Sequence, residues 1–280
     1  GILLLGFASG LPYMLVFSTL SAWLRDIGIS LTEIGFFAWL VLTYSLKFLW
    51  APLVDRYSVL GFQVFGKRRG WILFSQSMIL LALIGMSLVD PLQNIKFLAL
   101  FAFFVAFFGS VQDIAIDALR IEIGDAKDQG NLAASYQLGY RAAILVATSM
   151  ALIFADLIDW AHVYQLMSLL MLIGMTGALI CHEPKNNEIA ILRFDDALIG
   201  AFKDFFARFG IWSAALLLLI ISTFRLTDIV MGPMAMPFYL DMGFSKTEIG
   251  ALVKTIALFG SIIGFVAGGY LIKKIMLFNA

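Results

Sequence analysis

The stretch Phe108-Gly-Ser-Val-Gln-Asp-Ile-Ala-Ile-Asp-Ala-Leu-Arg-Ile-Glu122 limits most tightly what this chain can become. The eleven residues before it, Phe97 to Phe107, are apolar without exception, and the apolar pattern continues through it. Gln112, Asp113, Asp117 and Arg120 are set into that pattern. Steps of four and three residues put Asp113, Asp117 and Arg120 on one face of an α-helix. Carboxylates inside a membrane-length segment are costly, and they mark an ion or solute path by default. The rest of the chain is then expected to build the cavity that this face looks into.

Composition supports a bilayer setting. Apolar residues make up 61% and charged residues 14%, against about 45–50% and about 25% in soluble domains. Mean hydropathy is +0.95. The formal net charge of zero gives no general attraction to nucleic acid. The single cysteine, Cys181, permits no disulfide framework within the chain. The chain opens on Gly1 directly into an apolar run, with no polar leader, so a truncated start is expected. HExxH, GxSxG and GxxxxGK[ST] motifs are all missing, so neither an enzyme nor an ATP-driven pump is expected, and no cofactor.

Eight segments approach the length of about 20 residues that a bilayer core requires. They are Ile2–Leu24, Ile34–Leu53, Trp71–Val89, Phe97–Leu119, Tyr136–Ile158, Val163–Cys181, Ile211–Tyr239 and Ile249–Ile272. Pro233 and Pro237 predict a break or kink in the seventh. Twelve basic residues lie in alternate connections, among them Arg56, Lys67, Arg68, Arg69 and Arg120, and only Arg25, Lys96 and Lys246 lie on the other side. The positive-inside rule places the richer side, and the N-terminus, in the cytoplasm. The long connection 182–210 contains an amphipathic run from Arg193 to Phe209, read as a helix lying on that membrane face.

A repeat organises the spans. Asp26-Ile-Gly-Ile-Ser-Leu-Thr-Glu-Ile-Gly35 matches Asp241-Met-Gly-Phe-Ser-Lys-Thr-Glu-Ile-Gly250 at seven of ten positions. Ser30 with Glu33, and Ser245 with Glu248, have capping-box spacing. The second copy follows six spans, so spans seven and eight repeat spans one and two. Parallel six-helix halves with a site between them are the architecture of major facilitator transporters. The expected organisation is an all-α integral membrane protein. A six-helix bundle over 1–181 is followed by a linker over 182–210 and by the first two helices of a second bundle over 211–280. The remaining helices would be missing or supplied by a separate chain.

Motifs spread along the chain carry a resemblance: Gly6-Phe-Ala-Ser-Gly-Leu-Pro12, Leu46-Lys-Phe-Leu-Trp-Ala-Pro-Leu-Val-Asp-Arg-Tyr57, Gly66-Lys-Arg-Arg-Gly-Trp71, Gln112-Asp-Ile-Ala-Ile-Asp-Ala118 and Pro237-Phe-Tyr-Leu-Asp241. The chain resembles the AmpG-type muropeptide permeases of the major facilitator superfamily. That resemblance implies proton-coupled import of anhydro-muropeptides across a bacterial inner membrane. The alternatives are a carrier of another anionic solute, such as a coenzyme A thioester, and a truncated remnant that does not transport.

The candidate chemistry falls into three groups. Asp113 and Asp117, one turn apart in a low dielectric, cannot both ionise cheaply and should share protons. The plainer reading is a fixed network of Asp117 with Arg120 and Asp113 with Arg141. Tyr13, Gln112, Arg141, Arg225, Asp228 and Lys254 are candidate cavity residues, and the spare cation among the last three suits an anionic solute. Pro12 is expected either to free carbonyls toward that cavity or simply to kink its helix for packing. Asp55, Arg56, Arg68, Arg69 and Arg120 are candidates for an inner gate, or for charges that only set topology. Lys47 is expected to reach toward the membrane face. Gly6 and Gly10 are read as a helix-packing face.

Overall fold

A computed structural model describes residues 1–125, 128–183 and 194–253, together with 256 and 260; the side chains at 194–199, 201, 202, 225–230, 252 and 253 are outside that description. Among the described residues there is helix and no strand. Among the described residues, six helices are long and apolar enough to cross a membrane: α1 (Ile2–Asp26), α2 (Leu31–Leu49), α3 (Lys67–Ser87), α4 (Pro91–Ile123), α5 (Gln129–Leu157) and α6 (Trp160–Ile180). They are followed by α7 (Phe194–Phe209), α8 (Ile211–Asp241) and α9, which starts at Lys246 and is described as far as Val253. The predicted eighth span otherwise lies outside the described residues.

The spans run longer than their apolar cores because polar residues cap them. Asp90 accepts the Leu92 N–H ahead of Pro91 and so starts the first turn of α4, which kinks at Asn94 (φ −137°) before the unbroken apolar residues begin. Asp159 does the same for α6 through the His162 N–H at 2.8 Å, and that bond, with the His162 ring beside it, holds the Asp159 carboxyl below its usual range. Both copies of the repeat form the predicted capping boxes, with Glu33 N–H on Ser30 Oγ and Glu248 N–H on Ser245 Oγ, each at 3.2 Å. The reciprocal bonds from Ser245 lower the Glu248 carboxyl. Gly28 and Gly243, the matching glycines, both turn the chain at positive φ.

Packing centres on α1. It contacts α5 and α6 along its length and α4 on a third side, while α3 packs between α4 and α6. Seventy-two per cent of the apolar stretch of α1 is buried, against 17% for α2. Glycines allow the close approach. A Cβ at Gly6 would lie 2.1 Å from the Tyr136 carbonyl oxygen, and one at Gly139 would lie 1.9 Å from that of Leu3. The predicted packing face on α1 therefore meets α5, and α5 answers with a glycine of its own. On α6, Gly174 and Gly177 admit Ala8 and Leu4 of α1 in the same way.

Two expectations are corrected. Helix α8 is continuous through Pro233 and Pro237, so the break that was one of the two expected outcomes does not occur. The second span is more segmented than its sequence implies: 3₁₀ turns at Ala38–Leu40 and Lys47–Leu49 interrupt α2, and a separate short helix, Ala51–Arg56, follows. Short 3₁₀ segments inside a helix often mark a hinge. The outward face of α2 carries exposed Phe36, Trp39 and Leu42, which only lipid or another helix can cover without cost. The predicted amphipathic run does form a helix, and Gly210, at φ +71°, turns the chain by 109° between its end and the start of α8.

If the α1–α5 contact depends on missing side chains, Gly139→Leu should destabilise the bundle by about 1–3 kcal/mol through overpacking. Its thermal midpoint in detergent should fall clearly below that of Ala→Leu at exposed Ala134, where no helix packs as closely.

Candidate functional site

The face predicted on α4 is the centre of a polar cluster built by four spans. Proline starts it. Pro12 has no N–H, so the Ala8 carbonyl four residues earlier loses its helical partner. Gln112 Nε2 of α4 donates to that oxygen at 2.8 Å, deep in the bundle. A π turn, Leu15–Thr19, follows at once on α1; its Leu15 carbonyl accepts from Tyr164 Oη of α6 at 2.8 Å, and Thr19 donates to the Ala147 carbonyl of α5. The freed backbone of α1 is thus bound by neighbouring spans.

Asp113 stands one residue beyond Gln112. The charges of Lys47 and Asp117 act on it, and its own charge acts on Tyr44, Tyr136 and Tyr140. Asp113 Oδ1 is buried and has no hydrogen-bond partner. Asp117 is half-exposed and lies 3.6 Å from Arg120 and 4.0 Å from Lys47. The Asp117–Arg120 pair is the one the plainer reading anticipated. Lys47 departs from expectation: its ammonium lies toward Asp117, where it had been expected at the membrane face. Tyr13 packs on Phe17, with ring centroids 4.7 Å apart, and edge-on against Tyr44 at 5.1 Å. The charge of Arg141 acts on Tyr140. Asp113, Asp117, Tyr13, Gln112 and Arg141 therefore belong to one region between α1, α2, α4 and α5. The side chains of Arg225 and Asp228, and Lys254 altogether, lie outside the described residues. Among the described residues no group of three or more metal-ligating side chains exists.

Arg68 and Arg69 join the ends of several helices in the first bundle. The Arg68 guanidinium, 9% exposed, donates to Asp55 at 2.5 Å and to Glu122 at 2.6–3.2 Å. Glu183 accepts the backbone N–H groups of Arg68 and Arg69, an anion at a helix start. Arg69 also donates to the carbonyls of Ala178 and Leu179. Arg56 is placed over the Tyr57 ring, 5.5 Å from its centre. Arg120 is also stacked on an aromatic ring, that of Tyr136. Glu122 and Glu183 were not singled out from sequence, since nothing in their local pattern shows which arginines they would reach.

At the opposite end, the two copies of the repeat meet. Arg25 Nε donates to Asp241 Oδ1 at 2.6 Å, and Lys246 Nζ to Asp26 Oδ2 at 2.9 Å, with Asp156 at 3.6 Å. Thr247 donates both its N–H and its hydroxyl to Asp156. These contacts tie α8 and α9 to α1 and α5, around a cavity of ≈ 580 Å³. Asp26 and Asp241 are equivalent repeat positions, and each takes a cation from the other half. The part of α8 nearer α7 is exposed from Leu216 to Ile221 and at Phe224, whereas Met236, nearer the latch, is buried. Sequence reading used Arg25 and Lys246 only as topology charges; the matching aspartates were the signal for more.

The chain matches the family model described as Major Facilitator Superfamily over residues 2–279. It is 36% identical over 281 residues to the anhydromuropeptide permease of Escherichia coli (strain K12), covering all of this chain and 56% of that protein. It is 34% identical to the putative transporter AmpG 4 of Rickettsia felis, covering 98% of this chain and 67% of that protein. The figure is 31% for the putative transporter AmpG 3 of Rickettsia typhi, covering all of this chain and 69% of that protein. The chain thus spans about half to two thirds of the length of these relatives.

Glu122 takes three of the four side-chain bonds that Arg68 makes to carboxylates. Glu122→Ala should therefore cost about 3 kcal/mol, the scale of breaking a buried ion pair, and lower the thermal midpoint more than Asp55→Ala.

Proposed function

The chain belongs to the Major Facilitator Superfamily and, within it, to the AmpG-type permeases, and from that premise we propose that it is part of a secondary active transporter that imports anhydro-muropeptides together with protons. The observation that carries the reading is Asp113. Its carboxyl is buried among α1, α2, α4 and α5, with one oxygen unpartnered, and a second carboxylate, Asp117, stands one turn away. Carboxylates inside a span mark an ion path by default, and the Asp117 charge acts on Asp113, so the pair is the proton-sensitive element of this reading. Arg120 and Lys47 are the cations already present beside Asp117.

Alternating access needs two bundles that part at one end while they close at the other. The ion pairs between the repeat copies support a closed repeat end. With the basic connections in the cytoplasm, a closed repeat end would make this an inward-facing arrangement, in a bacterial inner membrane and with the N-terminus cytoplasmic. In that state Asp113 and Asp117 would meet the cytoplasm, where proton release is required. Arg225, Asp228 and Lys254, with two positive charges to one negative, would supply positive charge for the acidic solute. Helix α7 would lie on the cytoplasmic surface as the link between the bundles. Arg68 and Arg69, with Asp55 and Arg56, would brace the inner ends of the first bundle as it moves.

The test is uptake of labelled anhydro-muropeptide into proteoliposomes under an inward proton gradient, with the chain supplied alone and with four further spans. Asp113→Asn and Asp117→Asn should each lower gradient-driven uptake at least tenfold, with membrane insertion unchanged. Normal pH-dependent uptake in both variants would refute the role.

A further inference from the structure

We propose that Tyr44, Ser9 and Asp113 form a site for a single hydroxyl group, either a water molecule or a hydroxyl of the transported solute. The proposal rests on the transport reading only for the second of those sources. It starts from three buried oxygens. Tyr44 Oη, Ser9 Oγ and Asp113 Oδ1 each have less than a trace of exposure and no hydrogen-bond partner. Ser9 is 1% exposed, on α1. Its hydroxyl lies against both the Asp113 carboxyl and the Tyr136 hydroxyl, yet meets hydrogen-bond geometry with neither. A buried polar atom left unpaired costs about 1–3 kcal/mol. Ser9 stands beside Asp113, and Tyr44 Oη stands against α4 one turn before it, so the three on α1, α2 and α4 are best explained by a guest that serves all of them.

The chemistry of the three arms defines that guest. A tyrosine hydroxyl and a serine hydroxyl each donate or accept, while a carboxylate only accepts. A guest that satisfies all three must donate to Asp113 and can accept from Tyr44 or Ser9. An O–H group does this. The helix geometry is arranged for it. Gly109 lies one turn before Asp113, and a Cβ there would sit 2.3 Å from Tyr44 Oη. The absent side chain is the notch that lets the Tyr44 hydroxyl reach α4 at the level of Asp113. Tyr44 belongs to the Val41–Ser45 segment of α2, bounded on both sides by 3₁₀ turns.

Other groups face the same place. Asp117 from α4 and Lys47 from α2 act on Asp113 directly. Tyr136, Tyr140 and Arg141 of α5 and Tyr13 of α1 complete the surround. None of them closes the gap, since the three oxygens stay unpartnered. Lys47 and Tyr44, three residues apart on α2, thus address Asp117 and Asp113, four apart on α4. Movement of α2 would change both contacts together.

The experiment compares wild type with Tyr44→Phe and Gly109→Ala in two measurements. The first is uptake of labelled anhydro-muropeptide into proteoliposomes across a pH series. The second is the Asp113 carboxyl band in infrared difference spectra of the purified protein in light and heavy water, assigned by its loss in Asp113→Asn. If water is the guest, Tyr44→Phe moves the pH midpoint of uptake by about one unit, equivalent to one lost hydrogen bond, with half-saturation unchanged. If a solute hydroxyl is the guest, half-saturation rises about tenfold at every pH and the midpoint stays. In either case the Asp113 band shifts in Tyr44→Phe. Gly109→Ala, which keeps the hydroxyl but fills its notch, should give the same change, and the double variant should be no worse than the larger single one. An unmoved band together with an unchanged uptake curve in Tyr44→Phe overturns the site. A shifted band in a protein that carries no muropeptide keeps the site and removes the transport reading. Should Gly109→Ala fail to fold, Tyr44→Phe alone decides, since it preserves the ring and its packing.

Discussion

An ionised carboxylate in hydrocarbon is unstable unless something nearby answers it, and α4 carries two of them. Everything around Asp113 and Asp117 can be understood as a response to that cost. Arg120 and Lys47 stand beside the more exposed Asp117. Hydroxyl groups of tyrosine and serine surround the more buried Asp113. The Lys47 charge acts on both carboxylates, while the hydroxyl groups gather around the inner one.

The same region shows how one local defect is turned into a tertiary contact. Pro12 removes a backbone donor from α1, which would leave the Ala8 carbonyl unpaired in the centre of the bundle. Gln112 answers it from α4 at 2.8 Å. The residue next to the key carboxylate is therefore anchored to the most buried span. Glycines at 6, 139, 174 and 177 let α5 and α6 close on α1 at backbone distance, so the cluster sits on a rigid scaffold. By contrast α2 is segmented by 3₁₀ turns and is the least buried of the six spans.

Much of this was legible in the sequence because hydropathy and spacing are local properties. The placement of carboxylates on one face of α4, the first six spans, the amphipathic α7 and both capping boxes followed from periodicity alone. The repeat at an offset of 215 pointed to the architecture before any coordinates. What stayed hidden depends on which helices touch. Tyr44 and Ser9 look like ordinary span residues until α2 and α1 are laid against α4. Glu122 and Glu183 look like loop charges until Arg68 and Arg69 turn toward them. The cross-half pairs of Asp26 and Asp241 are invisible in either copy alone, although their repetition hinted at them. The neighbour of Lys47 across the gap, Asp117, is likewise invisible in the sequence of α2 alone. Prolines 233 and 237 suggest a break where α8 in fact continues through both.

The central claim is that a proton and a solute meet the same buried carboxylates. The most direct measurement records pH outside weakly buffered proteoliposomes as anhydro-muropeptide is added without any imposed gradient. Alkalinisation that follows the solute, saturates with it and disappears in Asp113→Asn is the expected result. Solute entry with no accompanying proton movement would contradict the account.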